Sequence, residues 1–348
     1  MFGSGSNQAK LSVTAGTANN SGDLEVHENV AVTTAAGVNL TNNGIFNIDT
    51  GSGQGASTTT IGGTLSNTAT LNIGNTALSA PTAVTAAALT NTGTMTLAGN
   101  TSNSANSATV TVNGQASNAG TINLPTATSV TVSGAGNAYT QTAGSTNLSG
   151  GTLAAPNVNI TGGKMQGMGT VTGAANISAT GTIEAIDLAN NALPATLINN
   201  GNYSQSGGTF DGLLHGTGIQ IDEVNVTNGH SVNLTGGDLE AFGVTFALGQ
   251  VFEDIMTFQP GELTGTFATL QGGGNGTSVD LGNGLTLDAI YDNAGGDISL
   301  EVTKTVSVPP PLIGGGVPVF LAVGGILFGA KLLERGKKRR SLGTTRHT

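Results

Sequence analysis

The chain has 348 residues, of which 56 are Gly and none is Cys or Trp, and only 9% are charged, against about 25% charged residues and about 7% Gly in ordinary globular domains. Seven of the ten Lys and Arg lie beyond residue 330, so residues 1–330 carry three basic against nineteen acidic side chains, a net of −16. That balance excludes nucleic-acid binding, which needs clustered Lys and Arg, and the absence of Cys excludes disulfides and thiol chemistry.

Disorder is disfavoured because 37% of the chain is apolar and those residues recur in register. Aromatic residues are scarce, so the core must be built from Val, Ile, Leu, Ala and Thr, a composition that points to β-structure. The first residues, MFGSGSNQAKLSVTAG, contain no apolar stretch of the kind that opens an exported protein. The first repeat follows almost at once, and the expectation is that a signal peptide and further repeats precede Met1.

Five segments then share one form: NSGDLEV, NNGIFNI, NTATLNI, NTGTMTL and NAGTINL, beginning at Asn20, Asn42, Asn67, Asn91 and Asn118. Each reads as a turn followed by a strand with period-two alternation, and Asn and Gly suit the corner because both tolerate positive φ. Asn-Gly between alternating runs is also a hairpin signal and would give an antiparallel meander. A turn recurring about every 24 residues is better explained by a parallel solenoid of coils, with the five Asn stacked at one corner. The predicted solenoid covers residues 1–208, with about 22–27 residues per coil.

Over residues 137–215, NAYTQTAGSTNLSGGTLAAPNVNITGGKMQGMGTVTGAANISATGTIEA and LINNGNYSQSGGTF resemble the passenger repeats of autotransporter-like and adhesin-like surface proteins. The resemblance implies a right-handed parallel β-helix. The segment departs from the usual pattern after GTIEA, where IDLANNALPATL replaces a Pro-Gly turn. From residue 209 the composition changes again: Phe is absent between residues 47 and 209, then Phe210, Phe242, Phe246, Phe252, Phe258 and Phe267 follow. Residues 209–303 are read as a β-rich cap protecting the open sheet edge of the last coil.

After a Pro-rich linker at 304–311, residues 312–330 form an uncharged run of 19, long enough to span a bilayer as a helix. Ten of them are Leu, Ile, Val or Phe, each favouring insertion by about 0.3–0.6 kcal/mol at the helix centre. The flank carries Lys331, Arg335, Lys337, Lys338, Arg339 and Arg340, which would hold the 331–348 tail in the cytoplasm and the acidic body outside. Val308, Pro309, Pro310 and Pro311, the apolar run and the basic cluster together resemble the PEP-CTERM family of C-terminal sorting signals. That resemblance implies an exported protein of an exopolysaccharide-producing bacterium and a sorting peptidase as partner. Pro310 stands where the family has Glu, so a plain membrane anchor remains beside processing.

The chemistry of an enzyme is thin. Polysaccharide lyases and hydrolases of the β-helix type need converging carboxylates, whereas the acidic residues here are spread out. The candidate pairs are Glu184 with Asp187, Asp222 with Glu223, and Glu253 with Asp254. Neighbours along a strand point to opposite faces, so the last two pairs should not share a surface. His27, His215, His230 and His347 are too scattered for a metal site or a triad, and no cofactor motif is present. The fold expected is all-β, a right-handed parallel β-solenoid with a cap and a single transmembrane helix. The function expected is a non-enzymatic surface protein whose partners are membrane lipid and extracellular polysaccharide or surface ligands. A β-helix lyase or hydrolase and an autotransporter passenger fragment are the alternatives.

Overall fold

In the computed structural model, residues 8–190, 194–215 and 220–305 are described. They contain β-strands and turns, and among them no helix is long and apolar enough to cross a membrane. The sorting-like Val308–Pro311, the apolar run 312–330 and the basic cluster from Lys331 to Arg340 lie outside the described residues.

The chain winds as stacked coils. The first coil lays down Ala9–Val13, Ala18–Asn20 and Asp23–Val26, and the second Val30–Thr34, Leu40–Asn42 and Ile45–Ile48. Each segment pairs in parallel with its counterpart one coil away: Ala9 with Val30, Ala18 with Leu40, Asp23 with Ile45. In the next two coils the first two segments fuse into ten-residue strands, Thr58–Asn67 and Thr82–Asn91, with a register shift between Ile61 and Thr64. The third segments form a twelve-stranded sheet, of which eleven follow one another along a parallel path while Gln220–Ile221 pairs off it. Hairpins between the repeats, the meander alternative, do not occur here. The parallel pairings settle the choice, because a meander would put neighbouring repeats antiparallel.

Alternation supplies the core. In the eleven-strand path Leu71 pairs with Met95 and Met95 with Ile122, and all three are fully buried. Burying a side chain of that size is worth about 1.5–3 kcal/mol, and every coil contributes several. The corner before these strands demands Gly for a steric reason. A Cβ on Gly120 would lie 2.0 Å from the Gly93 carbonyl oxygen, and one on Gly144 would lie 2.0 Å from the Gly120 oxygen.

Parallel stacking does not stop at residue 208. Thr182 pairs with Thr209, Thr209 with Asp238 and Asp238 with Thr269, so the coils run on into the segment expected to be cap. The Phe residues signal a change of core filling rather than an end to the coils: Phe210 packs on Phe267 at 5.8 Å, and Phe267 on Tyr291 at 6.5 Å. The switch is made by Val251–Thr257. Its Met256 pairs in parallel with Val224 below, while the same strand runs antiparallel to Asp297–Lys304 on its other side. Leu285–Asp292 and Ser278–Gly282 extend that antiparallel sheet, which covers an edge that would otherwise offer free backbone groups to another chain.

Because the strands of each coil pair only with those of its neighbours, damage should spread locally. Leu71→Ala should cost about 2–5 kcal/mol, and Leu71→Asp should unfold the neighbouring coils by burying an unpaired charge. Urea unfolding followed by circular dichroism checks both. A Leu71→Asp protein melting like its parent would show that the strand faces the other way.

Candidate functional site

Two rows of polar side chains run along the stack, one inside and one outside. The inner row begins with the five Asn of the repeat. Each is the last residue of its strand, and parallel registers place Asn20 on Asn42, Asn42 on Asn67, Asn67 on Asn91 and Asn91 on Asn118. Each Nδ2 donates to the Oδ1 of the next at 2.7 Å. The second N–H of each amide donates to a backbone carbonyl of the coil above, as Asn42 does to Thr70 at 2.8 Å and Asn91 to Thr121 at 3.1 Å. From Asn42 to Asn118 these amides are buried. With both donors spent and the oxygen taken, they hold the corner and have nothing left for a ligand.

Above Asn118 the same column reads Gln141, Ile160, Ile177, Gln205 and Leu234. Asn118 donates to Gln141 Oε1 at 2.9 Å, and the Tyr139 hydroxyl reaches the same oxygen at 3.0 Å. Tyr203 and Gln205 repeat that pair at 2.6 Å. Burial raises the pKa of both phenols. With Leu234 above it, Gln205 Nε2 has no partner among the described residues.

The outer row lies on the outward face of the eleven-strand path. Successive coils place in register Glu25, Asn47, Asn72, Thr96, Asn123, Asn147, Gln166, Glu184, Asp211 and Glu240. Its amides bond in the opposite sense to the inner row, each donating to the coil below: Asn47 to Glu25 and Asn72 to Asn47 at 2.8 Å, Asn147 to Asn123 at 2.7 Å, Gln166 to Asn147 at 3.0 Å. Asn47 and Asn147 thus spend one N–H and one acceptor site on neighbours and keep one of each facing outward. Beside them stands a column of hydroxyls, Thr70, Thr94, Thr121 and Ser145.

At its upper end the row becomes acidic. Lys164 Nζ donates to Glu184 at 3.1 Å and to Asp211 at 2.9 Å, tying three coils together. Burial raises the Glu184 pKa, and Lys164 offsets this only in part. Glu240 is raised by burial and by Asp211 and Asp238. For Lys164 burial acts to lower the pKa, but Asp211 and Glu184 more than reverse it. Alignment of GTIEA, GTFDG and GDLEA would have exposed this trio, since each supplies one acid at the same place in the coil.

The pairs expected from the sequence fare differently. Asp187 accepts from Ala189 and Asn190 in its own turn, and Glu184 turns instead to Lys164. Asp222 is buried and accepts from the Ala195 N–H at 2.7 Å, whereas Glu223 faces Asn225 and Thr257 outside. Glu253 and Asp254, expected on opposite faces, are both exposed, because a register shift and a φ of 63° at Asp254 break the alternation there. His27 sits between Gln54 and Glu25, at 2.8 Å from each. Among the described residues no three His, Asp or Glu side chains are grouped to hold a metal ion. No family model, no curated protein and no solved structure matches the chain.

The two rows should respond differently to truncation. Asn67→Ala orphans the Asn42 donor and the Asn91 acceptor and should cost about 2–6 kcal/mol, at about 1–3 for each buried group left unpaired. Asn72→Ala, on the half-exposed row, should cost about 1 kcal/mol or less. Urea midpoints compare them. The cluster at Lys164 should also set a pH dependence. The Glu184 carboxyl keeps its proton to higher pH folded than unfolded, so the native state binds more protons and stability falls as pH rises through that interval. Lys164→Met widens the interval. The variant should be closest to its parent in acid, where the carboxyls are protonated, and furthest below it at neutral pH, as read from melting temperatures across pH.

Proposed function

We propose that this chain is an exported, membrane-anchored surface protein whose right-handed β-helix presents the uncharged stretch of its outer row, Asn47 to Gln166, to extracellular polysaccharide. The observation that supports the reading is the outer row. Its amides and the Thr hydroxyls beside them recur at the strand spacing, about 4.8 Å, near the rise of an extended β-linked glycan per sugar. A polysaccharide lying along the stack would meet a fresh donor and acceptor at almost every rung. The apolar run 312–330 serves as the anchor in lipid, with the basic cluster from Lys331 in the cytoplasm and a sorting peptidase as the partner for Val308–Pro311.

A second reading, a β-helix hydrolase, is favoured by Glu184, Asp211 and Glu240 lying in register with Lys164 between two of them. It is weaker because Lys164 occupies Glu184 and Asp211, and Glu184 is buried beneath it. A glycosidase needs both carboxyls free to reach the sugar.

Affinity electrophoresis of the full chain through gels cast with hydroxyethyl cellulose or xylan separates the two readings. Retardation that is lost in a triple variant, Asn72→Leu with Asn123→Leu and Asn147→Leu, supports adhesion. Release of reducing ends, abolished by Asp211→Asn, would favour the hydrolase. Deleting residues 309–348 should move the protein from the membrane to the soluble fraction with its circular dichroism unchanged.

A further inference from the structure

A second outward face is unlike the first. In the six coils from Thr58 to Thr172 the outward positions of the first segments form two columns in strict register. One column runs from Thr58 to Thr170 and the other from Thr60 to Thr172. Ten of the twelve positions are Thr or Ser, and the other two are Ala83 and Ala154. Ala31 below and Ile198 above end the first column, whereas the second continues downward through Thr33 and Ser12 and meets Asn200 above. Not one position is charged, on a chain with 20 acidic residues. None of the ten hydroxyls has a protein partner among the described residues, whereas the amides of the other face bond to each other.

We propose that this hydroxyl array binds ice, ordering water into the lattice of a growing crystal face. Three physical arguments select that occupant. The rungs repeat at about 4.8 Å across the strands and at roughly 6.7 Å along them, close to the two oxygen spacings on a prism face of ice. Thr is stiff at χ1, so its hydroxyl and methyl stand on a lattice formed before contact, and little side-chain entropy is lost on docking. The face is neutral, and charged groups would hold their own hydration shells against an ordered lattice.

Other occupants fit less well. Six rungs two residues wide offer on the order of 300 Å² at these spacings, well short of the roughly 800 Å² per partner of a stable protein interface. A second copy therefore finds too little area. A sugar is better met by the row of Asn and Gln side chains, whose amides carry a donor group and an acceptor side by side; neither Thr column carries an amide or a carboxylate.

The test uses the full chain in detergent micelles, with empty micelles as the blank, and measures ice-recrystallisation inhibition and partition into a slowly grown ice fraction. The parent should partition into ice and inhibit recrystallisation. A Thr109→Tyr, Thr111→Tyr, Thr131→Tyr variant should need at least tenfold more protein for the same inhibition. Its side chains point outward, and circular dichroism with a melting curve confirms that it folds. Asn72→Leu, on the other face, should act like the parent whether or not polysaccharide binding holds. A parent that stays in the liquid like the blank overturns the proposal, as does inhibition indifferent to the triple variant. It is equally overturned if the triple variant instead abolishes self-association in sedimentation or binding to cellulose powder.

Discussion

Each coil finds its hydrogen-bond partners in the coil above and the coil below. That single pattern fixes the rise at the strand spacing and holds the register. A residue at one position of a coil then lies directly against the residue at the same position of the next. The stack turns a repeat in sequence into a column in space. The Gly column at the corner is the first consequence: the backbone of one coil passes so close to the carbonyl of another that even a methyl group has no room. The ladder of buried amides beside it is the second. Asn can donate upward and accept from below without any change of backbone, so an identical residue in each coil completes its neighbour's hydrogen bonds.

The same rule explains how a chain with few aromatic residues and 56 glycines buries a continuous apolar core. Alternation along each strand sends Leu, Ile, Val and Met inward, and stacking closes the spaces between them. Where the inner column changes from amide to Ile at Ile160 and Ile177, the polar solution gives way to an apolar one at the same place in the coil. The ladder is one way of filling that position, and the backbone tolerates either. Gln205 shows the cost of mixing them, since its amide beneath Leu234 has a donor with no acceptor among the described residues.

The outward faces divide by chemistry. The eleven-strand path carries amides that satisfy one another and become acidic at one end, where Lys164 spreads its charge over carboxylates of two further coils. The Thr face carries hydroxyls that have no partner among the described residues. Column geometry is common to both, but the residual bonding capacity differs, and with it the kind of surface each can meet.

Much of this could be read from the residues. The spacing of the Asn repeats, the alternation after each, and the choice of parallel coils over hairpins followed from periodicity, because a fixed period imposes itself on any stack. The same alternation puts Leu71, Met95 and Ile122 on one face of their strands. The grouping of Glu184, Asp211 and Glu240 is present in GTIEA, GTFDG and GDLEA, but its members lie one coil apart, where pairing of acids along the chain does not reach. The boundary at residue 208 was drawn from the arrival of Phe, yet core composition can change while the backbone ladder continues. The freedom of Glu253 and Asp254 from strand alternation depended on a bulge, which is set by pairing with Asp297–Lys304, some 40 residues downstream. Local period and composition thus determined what one coil is. Which side chains meet, and which polar atoms are left over, was decided only when the coils were laid on one another, because those contacts join residues 17 to 47 positions apart.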